Sequence, residues 1–522
     1  MTATRSGARA LLDAAYASGI RICFANPGTT ELAIVRALEE VPGVRPVLGL
    51  FEGVCTGAAD GYARVSGRPA LTLLHLGPGL ANGLANLHNA RRAHSPVVNI
   101  VGDHATWHLQ FDAPLTSDIA GLARPVSEVI QVQSADSIEL SMNESIERAL
   151  NPPGSVVTVI APDDLMVASV ATPTGTMPAA KEQARHQVSS QRLATASSRA
   201  SESEKLVLLL GADALTERGQ RAAERIAAKT GARLIMESYP AIVALGGDLP
   251  RIERLAYFPQ DVIAQLAGCD VLLAGARAPI SYFGYPGQPS ELVSPAQRLI
   301  ELSVAGEDSV SALEQLSELV RDRQQAADPR VPAATPPASR NGTLTPVDVA
   351  EELVEQLPEG AIVSLEGSSC GAPYLQRAHR ARRHRVMTNT GGAIGQGIPC
   401  AVGAAFAQPD ARVICLQSDG SAQYTVQALW TMARERLNVT VVMIANHRYG
   451  ILQTELSRAG ARLDQPVIER MTRLDSPRID WLSLAAGYGV PAARATTVAE
   501  FKNTLAHGLQ ADGPFLIEAQ LA

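Results

Sequence analysis

LQSDGSAQ, residues 416–423, closes the apolar run Val413–Gln417 and opens a predicted helix to about Arg436, after which VTVVMIAN ends at Asn446. Strand, polar turn, helix and strand make the unit of a parallel α/β sheet, whose short Val, Ile and Leu runs are buried on both faces. Asp419 and Asn446 then fall at the C-terminal ends of two strands flanking one helix. Both face the crevice where ligands bind in such sheets. One carboxylate and one amide oxygen are hard ligands and few, which suits Mg²⁺ completed by diphosphate oxygens and water. Gly420 lets the backbone approach a phosphate, and the helix start that includes Ser421 offers free N–H groups to an anion. The competing explanation is that Asp419 and Ser421 only cap the helix.

The same cadence recurs outward from this stretch. Apolar runs end in glycine or a small polar residue at Ala70–Leu74, Val97–Val101, Leu206–Leu210 and Val271–Ala274. The fold class expected is therefore α/β, with doubly wound parallel sheets. Two stretches break the cadence: residues 172–199, rich in Ala, Ser, Thr and Gln, and 323–345, which contains DPRVPAATPPASRNGT. Proline at that density suits neither helix nor central strand. These expected linkers divide the chain into three units, 1–171, 200–322 and 346–522.

At 522 residues the chain is too long for one core, and 46% hydrophobic with 19% charged residues is globular composition. A net charge of -7 and an aromatic content of 4% argue against a nucleic-acid partner. No apolar run reaches eighteen residues, so no spanning helix is expected and a cytoplasmic location is. Six scattered cysteines without C-x-x-C spacing read as buried free thiols.

A rival reading comes from LLHLGPGLANGLANLHNA, residues 73–90. Gly77, Gly79 and Gly83 follow a strand and open a helix, and Asp103 follows the next strand, which together approach a dinucleotide fingerprint. That reading makes the chain an NAD-dependent dehydrogenase. Pro78, which removes a backbone donor from the turn, and His75 at the strand exit do not fit it.

Asp419-Gly420, then 25 residues, then Asn446 resembles the thiamine diphosphate signature, with Ser418 where the family usually has a first glycine. The resemblance runs the full length and is strongest to acetolactate synthase large subunits and benzoylformate decarboxylase. It implies a pyrimidine-binding, a central and a diphosphate-binding domain. It places Mg²⁺ on Asp419, Asn446 and the backbone carbonyl of Arg448, and diphosphate contacts on Ser368 and Ser369. Glu52, in LFEGVCTGAADGYARVSGRPA, matches the catalytic glutamate that bonds the aminopyrimidine and activates the cofactor. A lone Glu in so apolar a run is costly to bury without a partner, which independently marks it. In TGGAIGQGIP, Ile394 resembles the residue that bends the cofactor, and Gly392 the carbonyl that receives its amine. Asn26, Pro27, Gly28 and Thr29 match the turn near the substrate carboxylate, with Thr29 as its hydroxyl, and His75 matches the active-site histidine of benzoylformate decarboxylase.

The function expected is decarboxylation of a 2-oxo acid followed by protonation or carboligation of the enamine. The acetolactate synthase-like outcome is placed first and the benzoylformate type second. The partners are the 2-oxo acid, an aldehyde or second 2-oxo acid as acceptor, and further copies of the chain as a homodimer or homotetramer. GARAPISYFGYPGQPS, residues 275–290, shares only GAR with flavin-binding members, so FAD is not expected. Tyr282, Phe283 and Tyr285 stand near where benzoylformate decarboxylase has a second histidine, and Thr454 where acetolactate synthases carry a tryptophan. Ser418 and this mixed pocket leave a non-catalytic, cofactor-binding paralogue as a further alternative.

Overall fold

The computed structural model describes residues 4–172, 179–181, 183–322 and 342–521. Each of the three expected units carries a sheet. The first runs from edge to edge as Arg45–Leu48, Ile22–Asn26, Ala70–Leu74, Val97–Asp103, Val156–Pro162 and Glu128–Gln131, all parallel. The central sheet runs Glu253–Arg254, Arg233–Met236, Leu206–Leu210, Asp270–Ala274 and Leu299–Ser303, again all parallel. In the third, His384–Thr388, Ala361–Glu366, Val413–Ser418, Val439–Ala445, Phe515–Gln520 and Ala492–Ala495 are parallel. Its remaining edge strand is Ile242–Leu245, antiparallel to His384–Thr388 and donated by the central unit. The architecture is α/β with three domains, as expected, but not three separate bodies.

The units share cores. One apolar cluster joins Phe24, Val54 and Leu87 of the first unit to Ile398, Val413 and Met443 of the third. Another joins Leu208 and Leu272 of the central unit to Leu353, Val363 and Phe501. The first contact depends on glycine. Helix Glu52–Ser66 crosses helix Gly397–Ala407 so closely that a Cβ on Gly403 would lie 1.9 Å from the Ala58 carbonyl oxygen. A Cβ on Gly61 would lie 2.2 Å from that of Cys400. Arg64 locks the crossing. Fully paired with Asp60 through Nε at 2.8 Å and Nη2 at 2.6 Å, it also donates to the carbonyls of Thr388, at 2.7 Å, and Ala241, at 3.3 Å. A buried ion pair with every donor used ties all three units at one point.

Two expectations change. Within the expected 172–199 linker, a helix begins that runs Ser190–Glu202, N-capped by Ser189 and burying Leu193, Ala196, Ser197 and Ala200. Apart from Leu193 its inward face is built from small residues, so hydrophobic periodicity does not reveal it. Most of the other expected linker, residues 323–341, lies outside the described residues. The helix expected to continue to Arg436 breaks into Asp419–Ala422 and Ala428–Glu435. The break lets Thr425 Oγ1 donate to the Gly395 carbonyl at 2.7 Å, an interaction beyond the reach of local propensity. All six cysteines are buried free thiols.

Candidate functional site

Asp419 and Asn446 stand at the ends of adjacent parallel strands, as the motif requires. Asp419 is buried, and its two oxygens accept from backbone N–H groups of Gly420, at 2.8 Å, and His447, at 2.7 Å. Burial still pushes its carboxyl above the usual range. His447, with Nδ1 at 3.8 Å, carries charge only when protonated, so a divalent cation would supply the counter-charge. Asn446 donates from Nδ2 to Ser369 Oγ at 2.9 Å, while its Oδ1 accepts from the Arg448 N–H at 3.1 Å. The Arg448 carbonyl accepts from Gly450 N at 3.0 Å and retains a second lone pair. His447, between them, sits at φ 54°, and its Nε2 is buried without a partner among the described residues. A non-glycine residue in the left-handed region marks stored strain, which clusters at functional sites. One carboxylate, an amide oxygen and a carbonyl are a donor set that fits Mg²⁺ with a diphosphate.

Two helix starts lie beside these groups, those of Ser368–Arg377 and Asp419–Ala422. Helix Ser368–Arg377 begins behind Gly367, which makes no side-chain cap, so its first N–H groups remain for an anion. Gly420 is glycine because Tyr449 packs on it, with Cε1 2.6 Å from where a Cβ would stand. The Ser421 hydroxyl is spent locally, on the Ser418 carbonyl at 3.1 Å and Gln417 Oε1 at 3.2 Å.

The turn 389–397 is held almost atom by atom. Asn89 grips Ala393, accepting from its N–H at 3.2 Å and donating to its carbonyl at 2.7 Å. His88 Nε2 meets the Gly391 carbonyl at 3.2 Å, and Asn389 Oδ1 accepts from Gly392 N at 2.8 Å. Glu366, fully buried, accepts from Gly395 N at 2.7 Å, from Gly397 N and from Gln417 Nε2 at 3.3 Å. The Gly392 carbonyl accepts nothing from any described residue. Gly392 is at φ 79° and Gly395 at φ 96°, so both need glycine. Ile394 is 37% exposed between them, an apolar prop left uncovered.

On the first unit, Glu52 opens helix Glu52–Ser66, nearly buried, with Oε2 accepting from Asn82 Nδ2 at 3.0 Å. Its other oxygen lies 2.9 Å from where a Cβ on Gly79 would be. No hydrogen bond joins Glu52 to residues 346–521 among the described residues. His75 caps helix Leu76–Ala93 and is followed by Leu76 at φ 50°, a second strained residue directly after a polar one. Its Nδ1 is 2.8 Å from Glu31 Oε2, with its side chain 24% exposed and that of Glu31 wholly buried. Glu31 also accepts from Gly28 N and Thr30 Oγ1, each at 2.7 Å. Sequence reasoning missed Glu31. The only signal was an acid two residues after Thr29 in an otherwise apolar helix start. Asn26 Nδ2 is spent on the Gly49 carbonyl at 2.7 Å. Pro27 stays partly exposed and Thr29 is exposed, and the hydroxyl nearest His75 is that of Thr30, at 3.5 Å.

The dinucleotide reading is overturned here. Cβ positions on Gly77, Gly79 and Gly83 would strike Ser117, Glu52 and Thr56 respectively, so these glycines make room for side chains and not for a pyrophosphate. Asp103 is capped by the N–H of its neighbour His104 at 2.8 Å. In the central unit, Gly211 and Gly275 touch at the strand ends, and the carboxyl of Glu237, pushed up to about 7 by burial, fills the adjacent space.

Residues 5–122 match the N-terminal TPP binding domain of thiamine pyrophosphate enzymes, and residues 367–519 the C-terminal TPP binding domain. The IlvX protein of Mycobacterium tuberculosis, provisionally named an acetolactate synthase large subunit, is 44% identical over 98% of both chains. Benzoylformate decarboxylase of Pseudomonas aeruginosa is 31% identical over 96% of each. The thiamine diphosphate-dependent 4-hydroxybenzoylformate decarboxylase of Rhodococcus jostii RHA1 superposes with a TM-score of 0.88 at 26% identity, covering 99% of each chain.

Proposed function

The chain belongs to the thiamine pyrophosphate-dependent enzymes, the family of acetolactate synthase and benzoylformate decarboxylase, and on that premise we propose that it uses thiamine diphosphate with Mg²⁺ to release CO₂ from a 2-oxo acid. When bound, the cofactor supplies a nucleophilic carbon and an electron sink. Asp419, Asn446 and the Arg448 carbonyl would hold the metal, while Ser369 and the N–H groups that start helix Ser368–Arg377 would hold the diphosphate. The free Gly392 carbonyl would take the cofactor's exocyclic amine, with Ile394 as the apolar side chain packed against it. Glu52 shares a proton with the pyrimidine ring through the oxygen that Asn82 leaves unbonded. The turn through Asn26, Pro27 and Thr29 takes the substrate carboxylate.

The observation that carries the reading is the Glu31–His75 pair. A carboxylate on Nδ1 fixes the ring and leaves Nε2 to move a proton at the reacting carbon. Such a group favours protonation to an aldehyde as the final step. Carboligation to a second carbonyl is the other reading, favoured by the 44% identity to the M. tuberculosis protein. That no described residue of the third unit bonds the Glu52 carboxylate supports a site shared between two copies.

Glu52→Gln tests the mechanism. CO₂ release over a panel of 2-oxo acids should fall at least about 100-fold, while thermal stabilisation by cofactor and Mg²⁺ persists. Activity within a few-fold of the wild type would reject the role of Glu52. Cofactor binding without CO₂ release by the wild type, from any acid, would point to the non-catalytic alternative.

A further inference from the structure

The chain has eight Phe, ten Tyr and three Trp in 522 residues, yet six of these rings gather in one place. Tyr239, Tyr257, Phe258, Tyr282, Phe283 and Tyr285 form a connected cluster. Ring centroids are 5.2 Å apart for Tyr257 and Tyr282, 5.8 Å for Tyr239 and Tyr282, and 5.2 Å for Tyr282 and Phe283. All six belong to the central unit, but the cluster faces the third. Tyr285 donates its hydroxyl to Glu455 at 2.9 Å, and the Arg458 guanidinium lies 3.8 Å over the Phe258 ring.

Tyr282 reaches furthest. A Cβ on Gly392 would lie 2.3 Å from its hydroxyl oxygen, so the phenol occupies the space beside the turn whose carbonyl is free. Its own hydroxyl bonds to no described residue, and its ring is 41% exposed. Tyr285, at the same seam, is half-buried and spends its hydroxyl on Glu455. A half-open ring with an unspent hydroxyl has instead the character of a ligand contact: an apolar body with a polar handle. Burial also holds the phenol above its usual range, so it is a donor at neutral pH.

We propose that Tyr282 is a specificity-determining residue. Its hydroxyl hydrogen-bonds an oxygen of the 2-oxo acid, and its ring, backed by Tyr239 and Tyr257, packs on the substrate side chain and favours an aryl over a methyl group. This rests on the reading that the 389–397 turn holds the cofactor. Losing one hydrogen bond costs roughly three- to tenfold, and losing one aromatic contact about as much again.

The test compares Tyr282→Phe and Tyr282→Leu in the holoenzyme, using kcat/KM for CO₂ release from phenylglyoxylate and from pyruvate. Mandelate affinity, measured by calorimetry, gives a readout free of turnover. Tyr282→Phe should lower both acids together by about fivefold. Tyr282→Leu should in addition reduce the aryl-to-methyl ratio and the mandelate affinity by about tenfold. Two folded variants that keep both rates, the ratio and mandelate binding within twofold overturn the proposal. Wild-type protein that binds cofactor but releases CO₂ from neither acid, and does not bind mandelate, overturns the proposal together with the reading beneath it.

Discussion

The turn 389–397 and the helix Gly450–Arg458 flank the same candidate site and are built in opposite ways. Around the turn, Asn89, His88, Asn389, Glu366 and Thr425 engage the backbone in succession and leave the Gly392 carbonyl free. In the helix no residue is buried, and Leu452 is 46% exposed. Binding a fixed ligand rewards groups held in place beforehand. A surface that meets varied substrates or another copy of the chain need not be fixed, and this helix is held through side chains such as Glu455 and Arg458 and not through a buried face.

The sharpest way to break this contrast is at the root of the turn. Gly403→Val, on the helix that follows it, drives a side chain into the Ala58 carbonyl and should cost about 3 kcal/mol of stability in thermal melting. Asn89→Ala removes both bonds to Ala393 and should weaken cofactor binding about tenfold by calorimetry, because the turn then orders only on binding. Glu366 sharpens the contrast through pH. Burial holds its folded carboxyl above the usual range, so the native state takes up a proton. Its contribution to stability is full below the ordinary Glu value and is lost as pH rises through the raised one. Melting temperature should therefore fall with rising pH in that window, and Glu366→Gln should flatten the fall. The smallest effect is expected on the helix, where Leu452→Ala should change stability by less than about 0.5 kcal/mol. A loss of several kcal/mol there would erase the distinction.

Much of the site could be read from the chain because its residues sit at fixed steps from predictable strands. Val413–Gln417 and Val439–Ala445 place Asp419 and Asn446 without any tertiary knowledge, and both strands form where expected. Glu52 stood out as an acid in an apolar run. The helix Ser190–Glu202 did not stand out, because alanine and serine make all of its inward face but Leu193. Glu31 stayed hidden because its partner His75 is 44 residues away in sequence. The glycines at 77, 79 and 83 misled, since a strand-to-helix turn that admits a phosphate and one that admits the carboxylate of Glu52 look alike as letters.

By itself the sequence determined the α/β class, the number of units and the residues at the strand ends, all of which follow from local periodicity and spacing. Only the tertiary structure decided that the central unit lends the strand Ile242–Leu245 to the third sheet and that Arg64 ties three units at one point. It also decided that the rings around Tyr282 gather beside Gly392. These contacts join residues more than a hundred positions apart, where pairing depends on the shape of the folded units and not on neighbouring residues.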